Sequence, residues 1–375
     1  MFKSLWALAL CINGLIDLKM IDIGLDIKIQ KTNQSRLPEI DFNNIPFGKI
    51  YADHMFLAEY KNGQWSDLRI EPFNNLNLSP AISVLHYGQS VFEGLKGFRS
   101  PDGKEVLVFR PEENAKRLKA SAKRLCMPEV PEEIFMTGLH KLLDLDRSWV
   151  PNVKDSALYI RPFQFAADEY IGLKPSETFK FIIFASPVGA YYSEPVKVKV
   201  ETEYTRAAQG GTGFAKAAGN YAASMYPAKL AAEQGYHQLL WTDGKSHKFI
   251  EESGTMNVLF VINDTLVSIP SSDTILPGIT RRSVVEIARD WGLKVEERPV
   301  EVAEIVSAIK DGSLKEMFGA GTAATITQIA LMAYDGVDYE LPAVETREFS
   351  TKLHAELTGI QRGLVEDTRG WVYRI

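Results

Sequence analysis

Two rhythms of apolar residues run through this chain. Val106 to Phe109, Ala157 to Phe165 and Phe179 to Ser186 are β-branched and aromatic runs of the kind that form buried strands. Val196-Lys-Val-Lys-Val alternates strictly, which predicts a strand with one wet face. Helical spacing appears after Pro131, where Ile134, Phe135, Leu139, Leu142 and Leu143 share a side, and after Arg110-Pro111, where a helix is expected to reach about Leu125. Further on, a helix is predicted over Tyr221 to Gln234 and a strand over Gln238 to Thr242. Asn263-Asp264 then joins Asn257–Ile262 to Thr265–Ile269 as a hairpin. Thr280 is expected to cap a helix that buries Val284, Ile287, Ala288 and Trp291 and stops at Gly292. The glycines between Ala81 and Phe98 suggest strands and bends close to a ligand. A change of pattern between Gly189 and Tyr204 suggests a boundary. The expected organisation is an extension of unassigned role over 1–45, a small α/β unit over 46–188, a linker over 189–205 and a larger unit over 206–375.

Composition narrows the classes of function. With 375 residues, 45% hydrophobic and 24% charged, the chain reads as globular and long enough for two cores. Its net charge of -6, with lysine and arginine scattered among acids, offers no basic stripe, so small molecules are expected as partners rather than nucleic acid. Cys11 and Cys126 cannot build a disulfide framework, and no His-Glu-x-x-His pair is present; a reducing, cytoplasmic setting without a metal is expected. The apolar run Leu5 to Ile12 faintly resembles a signal-peptide core but is too short to span a bilayer, so no membrane association is expected and Met20 is the preferred start.

The candidate chemistry centres on Gly210-Gly-Thr-Gly-Phe-Ala-Lys-Ala-Ala-Gly-Asn-Tyr221, which isolates Lys216 among small residues. A lysine that forms a Schiff base needs close backbone approach and a free amine, and such a setting suits pyridoxal phosphate. A phosphate loop is disfavoured, because Ala215 and Ala217 flank the lysine where that motif needs Gly and Ser or Thr. On glycine content alone, a flexible loop with an exposed lysine fits equally well. Glu252, beside the Gly254-Thr255 turn, could hold a pyridine nitrogen protonated, although a lone glutamate there is more often a turn partner. Gly319-Ala-Gly-Thr-Ala-Ala offers free amides and a hydroxyl to a phosphate or carboxylate.

Seven ordered segments together resemble the branched-chain amino acid aminotransferases. They are Leu85-His-Tyr-Gly-Gln-Ser-Val-Phe-Glu-Gly-Leu-Lys96, Phe109-Arg-Pro-Glu-Glu-Asn-Ala-Lys-Arg-Leu118, Leu158-Tyr-Ile-Arg-Pro162, the Lys216 loop, Glu252-Ser-Gly-Thr-Met-Asn257, Leu276-Pro-Gly-Ile-Thr-Arg281 and Gly321-Thr-Ala323. The resemblance runs from about residue 47 to the C-terminus. It implies the two-domain fold type IV of pyridoxal-phosphate enzymes, with a small N-terminal α/β domain and a larger pseudo-barrel domain. The implied reaction moves an amino group between leucine, isoleucine or valine and 2-oxoglutarate in two half-reactions. By motif position, Lys216 would hold the cofactor and shuttle the proton, Tyr221 would bond its ring oxygen and Glu252 its ring nitrogen. Arg117, Ile279, Thr280 and Thr322 would take the phosphate; Arg117, judged without the family, looks like a surface residue. Tyr87, Phe92, Tyr159, Tyr221 and Thr255 would line an apolar substrate pocket, which without the family would read as core. Arg161 would serve the distal carboxylate of glutamate, and Thr255 with the backbone near Ala323 the α-carboxylate. A homodimer is implied, with tyrosine and loop residues of one subunit bordering the other's pocket. D-amino acid aminotransferases and aminodeoxychorismate lyases share the lysine and glutamate, but Phe92-Glu-Gly and Tyr159-Ile-Arg favour the branched-chain branch. Mammalian members carry Cys-x-x-Cys where this chain has Ala324 and Thr327, so no thiol switch is expected.

Overall fold

The computed structural model describes residues 25–46, 48–189 and 194–375. The N-terminal apolar run and Met20 lie outside the described residues. Two nine-stranded sheets organise the rest. In the first, His54–Lys61, Phe179–Val188 and Ala157–Ala166 are successive antiparallel neighbours. Their inward side chains, among them Phe56, Ile160, Phe181 and Ile183, are all buried, which explains the continuous apolar runs. Helices Pro111–Arg124 and Glu132–Leu145 supply Leu118, Phe135 and Leu139 to the same core.

The second sheet is built around Met256–Ile262, Leu314–Gly321 and Thr325–Tyr334, again antiparallel neighbours. Val196–Val200 enters it with all three valines buried and Lys197 outward, as its alternation requires. Asn263 has φ 51°, the left-handed conformation that a two-residue hairpin turn calls for. Helix Ile279–Asp290 buries Val284, Ile287 and Ala288 against Leu259 and Phe318.

Three local expectations are corrected. Thr280 does not cap its helix: Gly278 holds the cap position with no side-chain bond, and Thr280 is already in the first turn. Leu85, His86 and Tyr87 lie in a short helix, Ser83–Tyr87, rather than a strand. The helix after Lys216 begins at Ala218, three residues before Tyr221, and the extended φ and ψ of Ala217 set that start.

One cut near residue 200 does not separate the sheets. The last strand, Val372–Arg374, returns to pair antiparallel with Val106–Phe109 in the first sheet. Trp371 packs with Phe109 and with the helix residues Val284 and Ile287, so the two halves share one apolar seam.

Candidate active site

A cavity of about 610 Å³ opens where the two halves meet, a size typical of small-molecule sites. The structure brings twelve of the thirteen residues singled out above to its wall: Phe92, Arg117, Tyr159, Arg161, Lys216, Tyr221, Glu252, Thr255, Ile279, Thr280, Thr322 and Ala323. Tyr87 is the exception; it stands 39% exposed at the end of its short helix and does not line this cavity.

Lys216 is held by its backbone. Its carbonyl accepts the Phe92 amide at 3.0 Å, its own amide donates to Ser121 Oγ at 2.9 Å, and Ala217 bridges to Val91. These anchors fix the Cα and leave the side chain to reach inward, where Nζ donates to Tyr221 Oη at 2.8 Å. Nζ also lies 4.9 Å from the Phe92 ring centre, and the Phe92 and Tyr221 rings are 4.7 Å apart. The amine therefore projects between two aromatic faces.

Glu252 forms a buried acidic wall. Its Oε1 accepts the Leu276 amide at 2.9 Å and Asn257 Nδ2 at 3.1 Å, while Oε2 is 3.0 Å from Arg206 Nε. Burial pushes its carboxyl up, against the opposing pull of Arg206, the Leu276 amide, Lys216 and Arg117. A cationic group placed against it would stabilise the carboxylate.

Arg117 is not a surface residue. It is 8% exposed, and its Nε and Nη2 each meet a carboxylate oxygen of the fully buried Glu93 at 2.8 Å. Nη1 donates to the Pro277 carbonyl at 3.2 Å, tying the first half to the segment that starts helix Ile279–Asp290. That helix has no side-chain cap, and its first residues line the cavity, so free amides, the helix dipole and Arg117 converge on one wall. Gly278 is required there because a Cβ would collide with Asn257 Oδ1.

Elsewhere on the cavity wall, Arg161 lies 4.7 Å from the Phe92 ring centre and 5.2 Å from that of Tyr159, and its Nη2 donates to Tyr159 Oη at 2.8 Å. The turn Thr322–Ala323, which also lines the cavity, lies between strands Leu314–Gly321 and Thr325–Tyr334.

Sequence reasoning missed Glu93, Arg206, Asn257 and Lys96 as parts of the site. Glu93 and Asn257 sit inside quoted motifs, but their partners, Arg117 and Glu252, come from other elements. Arg206 lies ten residues before Lys216, and no local pattern marks it. Lys96 bonds the Ala323 carbonyl, 227 residues away.

Fold, lysine and anion wall together define a class: the chain belongs to the class IV aminotransferases, whose family profile, described as Amino-transferase class IV, matches residues 90–332. The chain is 44% identical over 353 residues to branched-chain-amino-acid aminotransferase 2 of Bacillus subtilis (strain 168), covering 93% of this chain and 97% of that protein. It is 46% identical over 336 residues to a probable branched-chain-amino-acid aminotransferase of Staphylococcus aureus (strain MRSA252), covering 88% and 93%. Among solved structures, the branched-chain amino acid aminotransferase of Escherichia coli superposes with a TM-score of 0.69 at 26% identity, covering 85% of this chain and 98% of that one.

Proposed function

We propose that this chain is a pyridoxal-phosphate transaminase that moves the amino group between L-leucine, L-isoleucine or L-valine and 2-oxoglutarate. The observation that carries this is the joint placement of the Lys216 amine, the buried Glu252 carboxylate and the Arg117–helix wall around one cavity. The donor set fits the cofactor. Arg117 and the free amides at Ile279 and Thr280, with the Thr322 hydroxyl, suit a phosphate dianion. Glu252 suits a protonated pyridine nitrogen, Tyr221 a ring oxygen and Lys216 an aldehyde. When bound, pyridoxal phosphate supplies an electron sink for the pair left on the substrate α-carbon.

The chain's residues do the rest. Lys216 Nζ takes the α-proton as general base, and the Tyr221 hydroxyl orients it. Phe92 and Tyr159 present ring faces to an aliphatic side chain, whose burial is favourable. Thr255 and the Thr322–Ala323 turn receive the α-carboxylate. Arg161, 4.7 and 5.2 Å from the Phe92 and Tyr159 ring centres, meets the distal carboxylate of 2-oxoglutarate, and those two rings face its charge when a leucine side chain is bound instead.

A homodimer is part of the proposal. Leu85 and Tyr87 are 67% and 39% exposed, and the facing segment shows Ile171 at 70% and Leu173 at 87%. The two segments are stitched by the Ser83 amide to the Asp168 carbonyl at 2.8 Å. Dimer formation would cover this apolar face and bring Tyr87 to the mouth of the other subunit's cavity. Cys126, a free exposed thiol, suits the cytoplasm.

The test is the visible spectrum of purified protein before and after L-leucine, with a Lys216→Ala variant alongside. A cofactor band that L-leucine removes, and that the variant lacks, supports the reading. A band unmoved by L-leucine but shifted by D-alanine would overturn the substrate, and no band after adding cofactor would overturn the mechanism.

A further inference from the structure

Helix Pro111–Arg124 has two faces at work. Ala115, Leu118 and Ala122 belong to the core of the first half. Asn114, Arg117, Ser121 and Arg124 follow one another at spacings of three, four and three residues, so they share a second, polar face. Each of them meets another element around the cavity. Asn114 Nδ2 donates to Glu93 at 2.7 Å, Arg117 donates to Glu93 and to the Pro277 carbonyl, and Arg124 donates to the Gly210 and Gly211 carbonyls at 3.1 and 3.2 Å. Ser121 is 1% exposed, and its hydroxyl accepts the Lys216 amide at 2.9 Å, from 95 residues away in sequence. Burying a hydroxyl is costly unless its oxygen is bonded, and here the bond goes to the backbone of the residue that carries the amine. The other side of Lys216 is held by the Phe92 amide, which donates to its carbonyl at 3.0 Å from the strand that runs into Glu93. Arg117 and Ser121 thus join the anion wall and the lysine to one rigid helix, about 6 Å apart along its axis.

We propose that Ser121 is a positioning residue for Lys216, its hydroxyl holding the lysine one helical turn beyond Arg117 so that the amine stays in register with the anion wall. This rests on the assignment of that wall to the phosphate of pyridoxal phosphate. Phosphate and aldehyde sit on neighbouring ring carbons of that molecule, so once Arg117 fixes the first, the place of the second is nearly fixed too. Lys216 Nζ must then reach that carbon to form the C=N bond, with the aldehyde oxygen leaving as one water. Without the Ser121 hydroxyl the Lys216 amide loses its acceptor and the backbone can pivot about the Phe92 bond. Such a shift moves the amine away from a carbon that cannot follow it, and small misplacements of reacting atoms are expensive in rate.

The experiment follows the rise of the visible lysine-bound band by stopped flow when the full-length protein, freed of cofactor, is mixed with pyridoxal phosphate or with pyridoxal, which has the aldehyde but no phosphate. Wild type, Ser121→Ala and Ser121→Cys are compared. With pyridoxal phosphate, Ser121→Ala should be about tenfold slower than wild type. With pyridoxal the two should agree within about twofold, because a molecule not tied to Arg117 can shift to meet the displaced amine. In the loaded variant, kcat for L-leucine should fall about tenfold and KM stay within about twofold. Equal rates for wild type and Ser121→Ala with pyridoxal phosphate overturn the role of Ser121 alone. Equal slowing with both aldehydes also overturns it, since that is the mark of a generally loosened loop. A wild type that forms no visible band with pyridoxal phosphate overturns both this role and the proposed function. If Ser121→Ala does not fold, Ser121→Cys decides by the same comparison, because a thiol fills the space but accepts only weakly.

Discussion

Replacing Glu93 by glutamine removes one charge from a sealed pair while keeping the shape of the side chain. Glu93 is fully buried, Arg117 is 8% exposed, and two bonds of 2.8 Å join them, with Asn114 Nδ2 adding a third to the carboxylate at 2.7 Å. Breaking a buried pair by losing one partner costs about 3–5 kcal/mol. Glutamine keeps the shape and one carbonyl acceptor, but its amide must face a donor, either Arg117 or Asn114. One charge-assisted bond of about 1.5–3 kcal/mol is lost, and Arg117 keeps an unneutralised charge, so about 3 kcal/mol is expected in cofactor-free protein. Pyridoxal phosphate should change the figure. A phosphate beside Arg117 offers a replacement counter-charge, and the loss should shrink to about 1–2 kcal/mol in loaded enzyme. Urea unfolding of wild type and Glu93→Gln, with and without cofactor, measures both. A loss below about 1 kcal/mol without cofactor would refute the electrostatic role of the pair. Equal losses in the two forms would refute the placement of phosphate beside Arg117.

Arg161→Gln should raise KM for 2-oxoglutarate about tenfold while leaving that for L-leucine within about threefold, because only the acidic substrate needs its charge; parallel losses for both in steady-state assays would contradict this. Asp243 gives a pH prediction. Burial raises its carboxyl, but the amides of Phe249, Ser246 and Lys248 outweigh that and hold it at about 2, below the ordinary 3.8. A carboxyl depressed in the folded state contributes stability above its unfolded value and loses it as pH falls toward 2. Asp243→Asn should therefore cost about 1 kcal/mol at pH 7, less than the full shift implies because solvent screens this partly exposed carboxylate, and flatten the fall in unfolding free energy between pH 4 and pH 2.

What the sequence revealed was local. The Lys216 loop, the hairpin at Asn263 and the helix faces of Leu139 or Ile287 depend on neighbours within a few residues, and spacing alone exposes them. Arg117 shows the limit. Its helix looks polar, and the residue turns inward only because Glu93, 24 residues earlier, is folded beneath it. Arg206 has the same character: what makes it matter is Glu252, an acid in a strand contributed much later. Lys96 was quoted within a motif, yet its bond to Ala323 forms only when the two halves close on each other. Long-range partners of charged residues leave no periodic trace, because a single contact has no period. Thr280 misled for a different reason: a hydroxyl at a helix start usually caps, but here the amides at that end face the cavity.

The return of the C-terminus to the first sheet constrains how the chain can be made. Ile375 and Val106 exchange both backbone hydrogen bonds, at 3.0 and 2.9 Å, and Trp371 is 7% exposed in the seam between the halves. The rest of the first sheet leaves the ribosome well before residues 372–374 are made, so its rim beside Val106–Phe109 stays unpaired until that strand emerges. Completion of the first sheet thus waits on a strand made long after the one it pairs with. Truncation before Trp371 would remove the seam residue and the closing strand together.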